Sequence, residues 1–257
     1  MAFPTTIFGK LKDIYKTSAT KVLPLGTRMV LPDGRVFRYA KNGGTELDLG
    51  KICATCSQVA EDIKDIAPTA AVAVGDVSSI SVGKSSCTNW SADDFKEGYL
   101  YAMDAAGQGQ IWQIKANAAC ATSSGAGATV TLEPESYCVT ALTTSASKLG
   151  IVKNIYDDVR VKPALGGATL LGVPVGVPIV TVAENRYFWI QTWGPCMVLD
   201  AGTLVSGEKA VIGSTTGAAA AGALCPSTGS AVTMSVGMAI ASGADGNYSL
   251  VFLMIAP

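Results

Sequence analysis

Residues 172–199 read GVPVGVPIVTVAENRYFWIQTWGPCMVL, and no other run constrains the fold as tightly. Val173, Val175, Val177 and Ile179 alternate with Gly172, Pro174, Gly176 and Pro178. That is the period of a strand, whose side chains point to opposite faces in turn, and not of a helix. Proline has no N–H, and backbone donors also alternate sides, so Pro174 and Pro178 remove donors from one and the same edge. Such a strand pairs fully on one side only, which predicts a sheet edge or an extended arm. From Tyr187 to Trp193 the composition is aromatic and β-branched, as in a well-packed strand. Asn185, in the polar break between the two runs, accepts the positive φ of a tight turn. The whole is expected to form an edge hairpin. Its Tyr187, Trp189, Trp193, Pro174 and Pro178 belong in a core or at an oligomer interface, and Trp189 and Trp193 should share a face.

The rest of the chain repeats the strand period in shorter pieces. Charged residues make up only 15% of it and Gly contributes 28 residues, too little charge to coat a helical bundle. Pro32-Asp33-Gly34 separates two strand-like runs and predicts a hairpin within residues 26–40. Further strands are expected at 70–74, 77–82, 99–103, 110–115, 129–132, 149–152 and 159–161. After the central hairpin come 197–199, 203–205, 209–212, 232–240 and 248–255. Helical spacing is confined to 8–15 and 49–66. The predicted fold is mainly β: sandwich- or barrel-like domains of short antiparallel strands, an extended N-terminal arm, and at most two short helices. The expected divisions are an arm at 1–25, a first domain at 26–165 and a second at 166–257, with the boundary at 163–167.

Chemistry is sparse. The chain has no His, which removes the commonest general base and every Ser-His or Cys-His nucleophile pair. Ser-x-x-Lys occurs at Ser18/Lys21, Ser81/Lys84 and Ser145/Lys148, three times without companion motifs. Gly83-Lys84-Ser85 resembles the end of a phosphate-binding loop, but Ser78 stands where that motif needs glycine. Asp93/Asp94 and Asp157/Asp158 lack the spacing of a calcium loop and read as solvated charges. Cys53 and Cys56 form a lone C-x-x-C among seven Cys, without the second pair that zinc requires. Free thiols in a reducing cytoplasm are the expectation. The chain is expected to be no enzyme, with no catalytic residue, no cofactor and no metal. Its uncharged stretches at 163–183 and 210–244 are too broken by Pro and Gly, or too polar, to span a bilayer. The N-terminus lacks a standard signal, and a soluble protein is expected.

Charge is distributed unevenly. Residues 1–51 carry nine Lys/Arg against four acids, a balance of +5; the remainder carries −6, for a total of −1. A basic N-terminal fifth suggests an acidic partner surface. No arginine cluster or basic–aromatic platform accompanies it, so the partner is expected to be protein and not nucleic acid. Lys10, Lys12, Lys16, Lys21, Arg28, Arg35 and Arg38 are the candidate contacts.

Five stretches together resemble virion structural proteins of tailed bacteriophages, most closely the capsid decoration, or cement, class. They are DGRVFRYAKNGG (33–44), GYLYAMDAAGQGQIWQIK (98–115), KLGIVKNIYDDVRV (148–161), the central run at 172–199, and VGMAIASGADGNYSLVFLMIAP (236–257). The resemblance implies a β-rich subunit on the outer face of the capsid, stapling neighbouring major capsid subunits as a homo-oligomer, typically a trimer. It implies as partners the major capsid protein and further copies of this chain, and no nucleic acid, membrane or small-molecule substrate. The implied place is the outer capsid surface of the virion, after synthesis in the host cytoplasm. Two alternatives stay open: a virion-borne carbohydrate- or receptor-binding module using Trp189 and Trp193, and a tail-tube or connector subunit.

Overall fold

The aromatic strand Tyr187–Leu199 runs through the middle of the larger of two sheets, and the chain's division into units follows from what pairs around it. The structure, a computed structural model, describes residues 5–56, 64–83, 90–120, 127–162, 172–212, 222–226 and 235–257. Contacts divide the chain into Met1–Cys56 with Ile155–Pro257, and Ser57–Asn154. The second segment is thus an insertion within the first unit. The boundary expected at 163–167 lies outside the described residues.

The first unit opens with β1 (Thr6–Phe8), a 3-10 turn at Asp13–Tyr15, β2 (Arg28–Val30), β3 (Val36–Lys41) and β4 (Cys53–Ala54). The inserted unit holds β5 (Ala67–Pro68), β6 (Gly75–Asp76), β7 (Ser79–Gly83), β8 (Tyr99–Asp104), β9 (Ile111–Asn117), β10 (Ala128–Leu132), β11 (Tyr137–Cys138) and β12 (Lys148–Val152). The chain then returns as β13 (Arg160–Val161), β14 (Pro174–Pro178), β15 (Tyr187–Leu199), β16 (Lys209–Ile212), β17 (Leu224–Pro226), β18 (Ser235–Ala241) and β19 (Tyr248–Met254). The protein is mainly β, its sheets include a curled half-barrel, and no helix among the described residues reaches seven residues. No helix among the described residues is long and apolar enough to cross a membrane.

In the first unit the strand order is β1-β2-β3-β15-β19-β18-β16-β17. β4 pairs with both β13 and β14, which closes the unit across its insertion. Among the described strand pairs of this sheet, β1–β2 alone is parallel. The Pro-Asp-Gly hairpin forms as expected: Arg28–Val30 pairs with Val36–Arg38, and Gly34 takes a φ of 83°. Asn185 has a φ of 57° in the turn before β15. The N-terminal stretch is docked along the sheet: β1 pairs with β2, Ser18 bridges Tyr187, and Ile14 is buried with Met29, Phe37 and Trp189.

Two expectations are corrected. β14 is not an edge strand: Val177 and Pro178 pair with Gln191 and Ile190, while Pro174 and Gly176 pair with Ala54 and Cys53. The strand changes partners at Gly176, at a φ of 150°, and a Cβ there would lie 2.5 Å from the Gln191 carbonyl oxygen. Only glycine permits both the backbone angle and that approach. Each half therefore meets one partner, and both prolines are buried. The second correction is a bulge in β15. Gln191 faces Phe37 but Trp193 faces Val36, so Thr192 is an extra residue. Trp189 faces Tyr39. Tyr39 and Val36 are three positions apart, so Trp189 and Trp193 point to opposite faces. Thr192 itself is tied down, with Oγ1 donating to the Ala256 carbonyl at 2.6 Å.

Of the smaller expectations, residues 203–205 form no strand and 70–74 supply only the bridge Val72–Leu142. Within 49–66, Cys53–Ala54 is strand, and 57–63 lie outside the described residues.

The inserted unit is a sheet of order β12-β8-β9-β10-β7-β5 beside the pair β11-β6. Its alternation is regular. Leu100, Trp112, Ile114, Val130 and Ile80 turn inward to one core, while Gln113, Lys115, Thr129 and Ser81 turn outward.

Candidate interaction surface

β19 reads YSLVFLM and is apolar on both faces. Ser249, Val251 and Leu253 are buried; Tyr248, Leu250, Phe252 and Met254 point the other way. Across the ladder on β15, Leu199, Met197, Pro195 and Trp193 stand directly opposite those four, and Met238 of β18 stands opposite Phe252. Directly opposed residues share a face. The result is one sheet face made of nine apolar or aromatic side chains, with no charged group at any of these paired positions. Trp193 and Phe252 meet edge to face, with ring centroids 5.5 Å apart. Met197 is 50% exposed, Met254 46%, Met238 44% and Tyr248 41%. At roughly 200 Å² per full side chain of this size, these exposures amount to some hundreds of Å², a range in which apolar patches mark interaction sites.

The aromatic candidates divide between core and surface. Trp189 is buried at 7% exposure and meets Tyr39 edge to face at 5.2 Å, while half-buried Tyr187 stacks on Tyr39 at 5.8 Å. Trp193 alone of them stands on the apolar face. Pro174 and Pro178 are buried in β14.

The basic candidates do not form one cluster. Lys10, Lys12, Lys16 and Lys21 are exposed, and Arg28, Arg35 and Arg38 are half-buried. Lys16 donates to Asp13 at 2.7 Å, and with the Lys10 N–H it holds the Asp13 carboxyl below its usual range. Arg35 pairs with Asp33 through Nε at 2.8 Å. The register does bring Arg28 directly opposite Arg38. Like charges so placed repel, and Arg38 is compensated by donating to the Gly26 carbonyl at 3.2 Å and to Pro257 O at 3.1 Å.

The thiols are structural in placement. Burial pushes the Cys196 thiol up to about 12 and raises Cys53 further still, so neither is a thiolate at neutral pH. Cys53 donates to the Lys51 carbonyl at 3.6 Å. No group of three or more metal-ligating side chains forms among the described residues.

Sequence reasoning passed over Met197, Met238, Leu250, Phe252 and Met254. A signal was present, because a strand that is apolar at every position but one (Ser249) needs cover on both faces. A buried central strand and a strand with one open apolar face read alike, and only the pairing separates them. No family model, curated protein or solved structure matches the chain.

Proposed function

We propose that this protein works by assembly: it is a capsid decoration (cement) subunit of a tailed bacteriophage, without catalytic activity. The observation that carries the assembly reading is the uncharged face on β15, β19 and β18. The phage class is supported by the phrasing of the five stretches that resemble virion structural proteins. In this reading the face joins copies of the chain into a symmetric oligomer, for which a trimer fits a three-fold lattice position. The exposed Lys10, Lys12, Lys16 and Lys21, with Arg28, Arg35 and Arg38 nearby in sequence, supply contacts to acidic major capsid subunits. Symmetry multiplies such modest contacts into avidity, and complementary charge sets register.

Quantitative mass spectrometry of purified virions tests this. Hundreds of copies in fixed ratio to the major capsid protein are expected. A few copies would move the protein to the tail, and absence would overturn the virion reading. The half-buried Trp193–Phe252 pair on this face favours one second reading, a carbohydrate-binding module. Glycan binding lost on Trp193→Ala would support it.

A further inference from the structure

β1 stands at one end of the first unit's sheet, with β2 on one side and no strand on the other among the described residues. Two bonds fix which of its groups are taken. Arg28 N–H donates to the Thr5 carbonyl at 2.8 Å, and Gly9 N–H donates to the Val30 carbonyl at 3.0 Å. The N–H and C=O of one residue point to the same side of a strand, and successive residues alternate. Thr5, Ile7 and Gly9 therefore face β2, while the N–H and C=O of Thr6 and Phe8 face outward. Those outward groups meet no hydrogen-bond partner among the described residues. Thr6 is exposed and Phe8 is 88% exposed, so the edge is open to solvent.

The side chains beside this edge are apolar and basic. Phe8 leaves most of an aromatic ring in water, and Leu11 is 55% exposed between Lys10 and Lys12. Lys16 is held by Asp13, whereas Lys10 and Lys12 form no ion pair with the described residues. An unpaired edge is a template for another strand, and lysines near it keep like-charged strands away. The same charge attracts a strand that carries carboxylates. β2 and β3 lie between this edge and β15, so it is separate from the apolar face assigned to a second copy.

We propose that the open edge of β1 accepts, as an added strand, an extended acidic segment of a partner protein. Its backbone pairs with Thr6 and Phe8, an apolar side chain packs on the Phe8 ring, and its carboxylates meet Lys10 and Lys12. Main-chain pairing supplies affinity and the side chains supply selectivity. A second copy of β1 is the poorer occupant, because two such segments side by side bring like charges together. The inference rests on the reading of the basic N-terminal residues as contacts to an acidic partner, and it names how that contact is made.

The probe is a blocked hexapeptide of alternating valine and glutamate, titrated into the full chain at low salt and followed by chemical-shift change, with oligomeric mass measured in parallel. Saturable binding with a Kd of about 1 mM is expected for so short a strand. Thr6→Pro removes an outward N–H without touching the bonds to β2, and should weaken binding about tenfold. Thr6→Ala keeps that N–H and should leave binding unchanged. Phe8→Ser should weaken it about tenfold, and Lys10→Gln with Lys12→Gln should do the same while removing most of its salt dependence. The probe N-methylated at its two central residues keeps every side chain and should bind about tenfold more weakly. Binding that depends on the lysines but ignores Thr6→Pro and N-methylation would overturn strand addition and leave the basic contact standing as charge alone. No saturable binding would overturn the proposal, while the capsid reading is decided separately by copy number in virions. An oligomeric mass that falls on Thr6→Pro without peptide would give the edge to a second copy and overturn the proposal too.

Discussion

The two sheets solve the same problem on one side and opposite problems on the other. Inside, each packs an apolar layer: Leu253 and Val251 in the first unit, Ile114 and Trp112 in the inserted one. Outside, the inserted unit shows Gln113, Lys115, Ser81 and Thr129 on β9, β7 and β10, the alternation of a sheet that faces water, with exposed Tyr99, Met103 and Ile111 confined to β8 and the start of β9. The first unit shows Met197, Phe252, Met254 and Met238 instead. Water is a poor neighbour for such a face, at about 25 cal/mol per Å² of apolar surface. The difference is therefore a difference in what each sheet is built to meet.

The comparison can be broken at four points. If the inner layers are equivalent, Leu253→Ala and Ile114→Ala should each cost about 2–5 kcal/mol in urea unfolding, since both side chains are fully buried. A cost below 1 kcal/mol at either site would show that its sheet lacks a packed inner layer. Next comes hydroxyl chemistry. Ser249 donates to the buried Asp200 carboxylate at 2.8 Å, so Ser249→Ala should cost about 1–2 kcal/mol. Its counterpart Ser81→Ala, on the water-facing side where Ser81 and Thr129 hydroxyls lie 3.3 Å apart, should stay within about 0.5 kcal/mol.

The third point is alkaline pH. The Cys196 thiol is raised by burial from 9.0 to about 12. Below 9.0 the thiol is protonated folded and unfolded alike, and its contribution is complete. Above 9.0 the unfolded chain ionises first, so stability falls as pH rises toward 12, by about 1 kcal/mol at pH 10. Cys196→Ala should lessen that fall and leave the part due to Cys53, whose thiol burial raises further, and a slope unchanged by the substitution would assign it elsewhere.

The smallest effect on folding is the largest on assembly. Met197→Glu with Met254→Glu places charge on exposed positions and should change unfolding free energy by less than about 1 kcal/mol. Light scattering should nevertheless show the oligomer reduced to single chains. Ile111→Glu, at a still more exposed apolar position in the inserted unit, should leave the mass unchanged. An oligomer that survives the double substitution would mean that the apolar face joins nothing.

How much of this was legible depends on the range of the cause. The Pro-Asp-Gly hairpin and the positive φ of Asn185 follow from a few adjacent residues, and both stand where the sequence places them. The strands from Tyr99 to Leu132 were legible too, because water on one face and a core on the other write a clean alternation. β14 misled because two prolines on one edge suggest a free edge. A strand that changes partners at Gly176 satisfies the same constraint from inside a sheet. Trp189 and Trp193 misled because parity holds only while no residue is inserted, and Thr192 is one.

By itself the sequence determined that the chain would be β, where its tight turns would fall, and that β15 and β19 would need apolar neighbours. Those are consequences of period, of backbone angle and of side-chain transfer from water, all of which act locally. Tertiary structure alone decided which strands pair, at what register, and therefore which side of β19 is left open. Register is a contest between segments distant in sequence, and a shift of one residue exchanges the two faces of a strand.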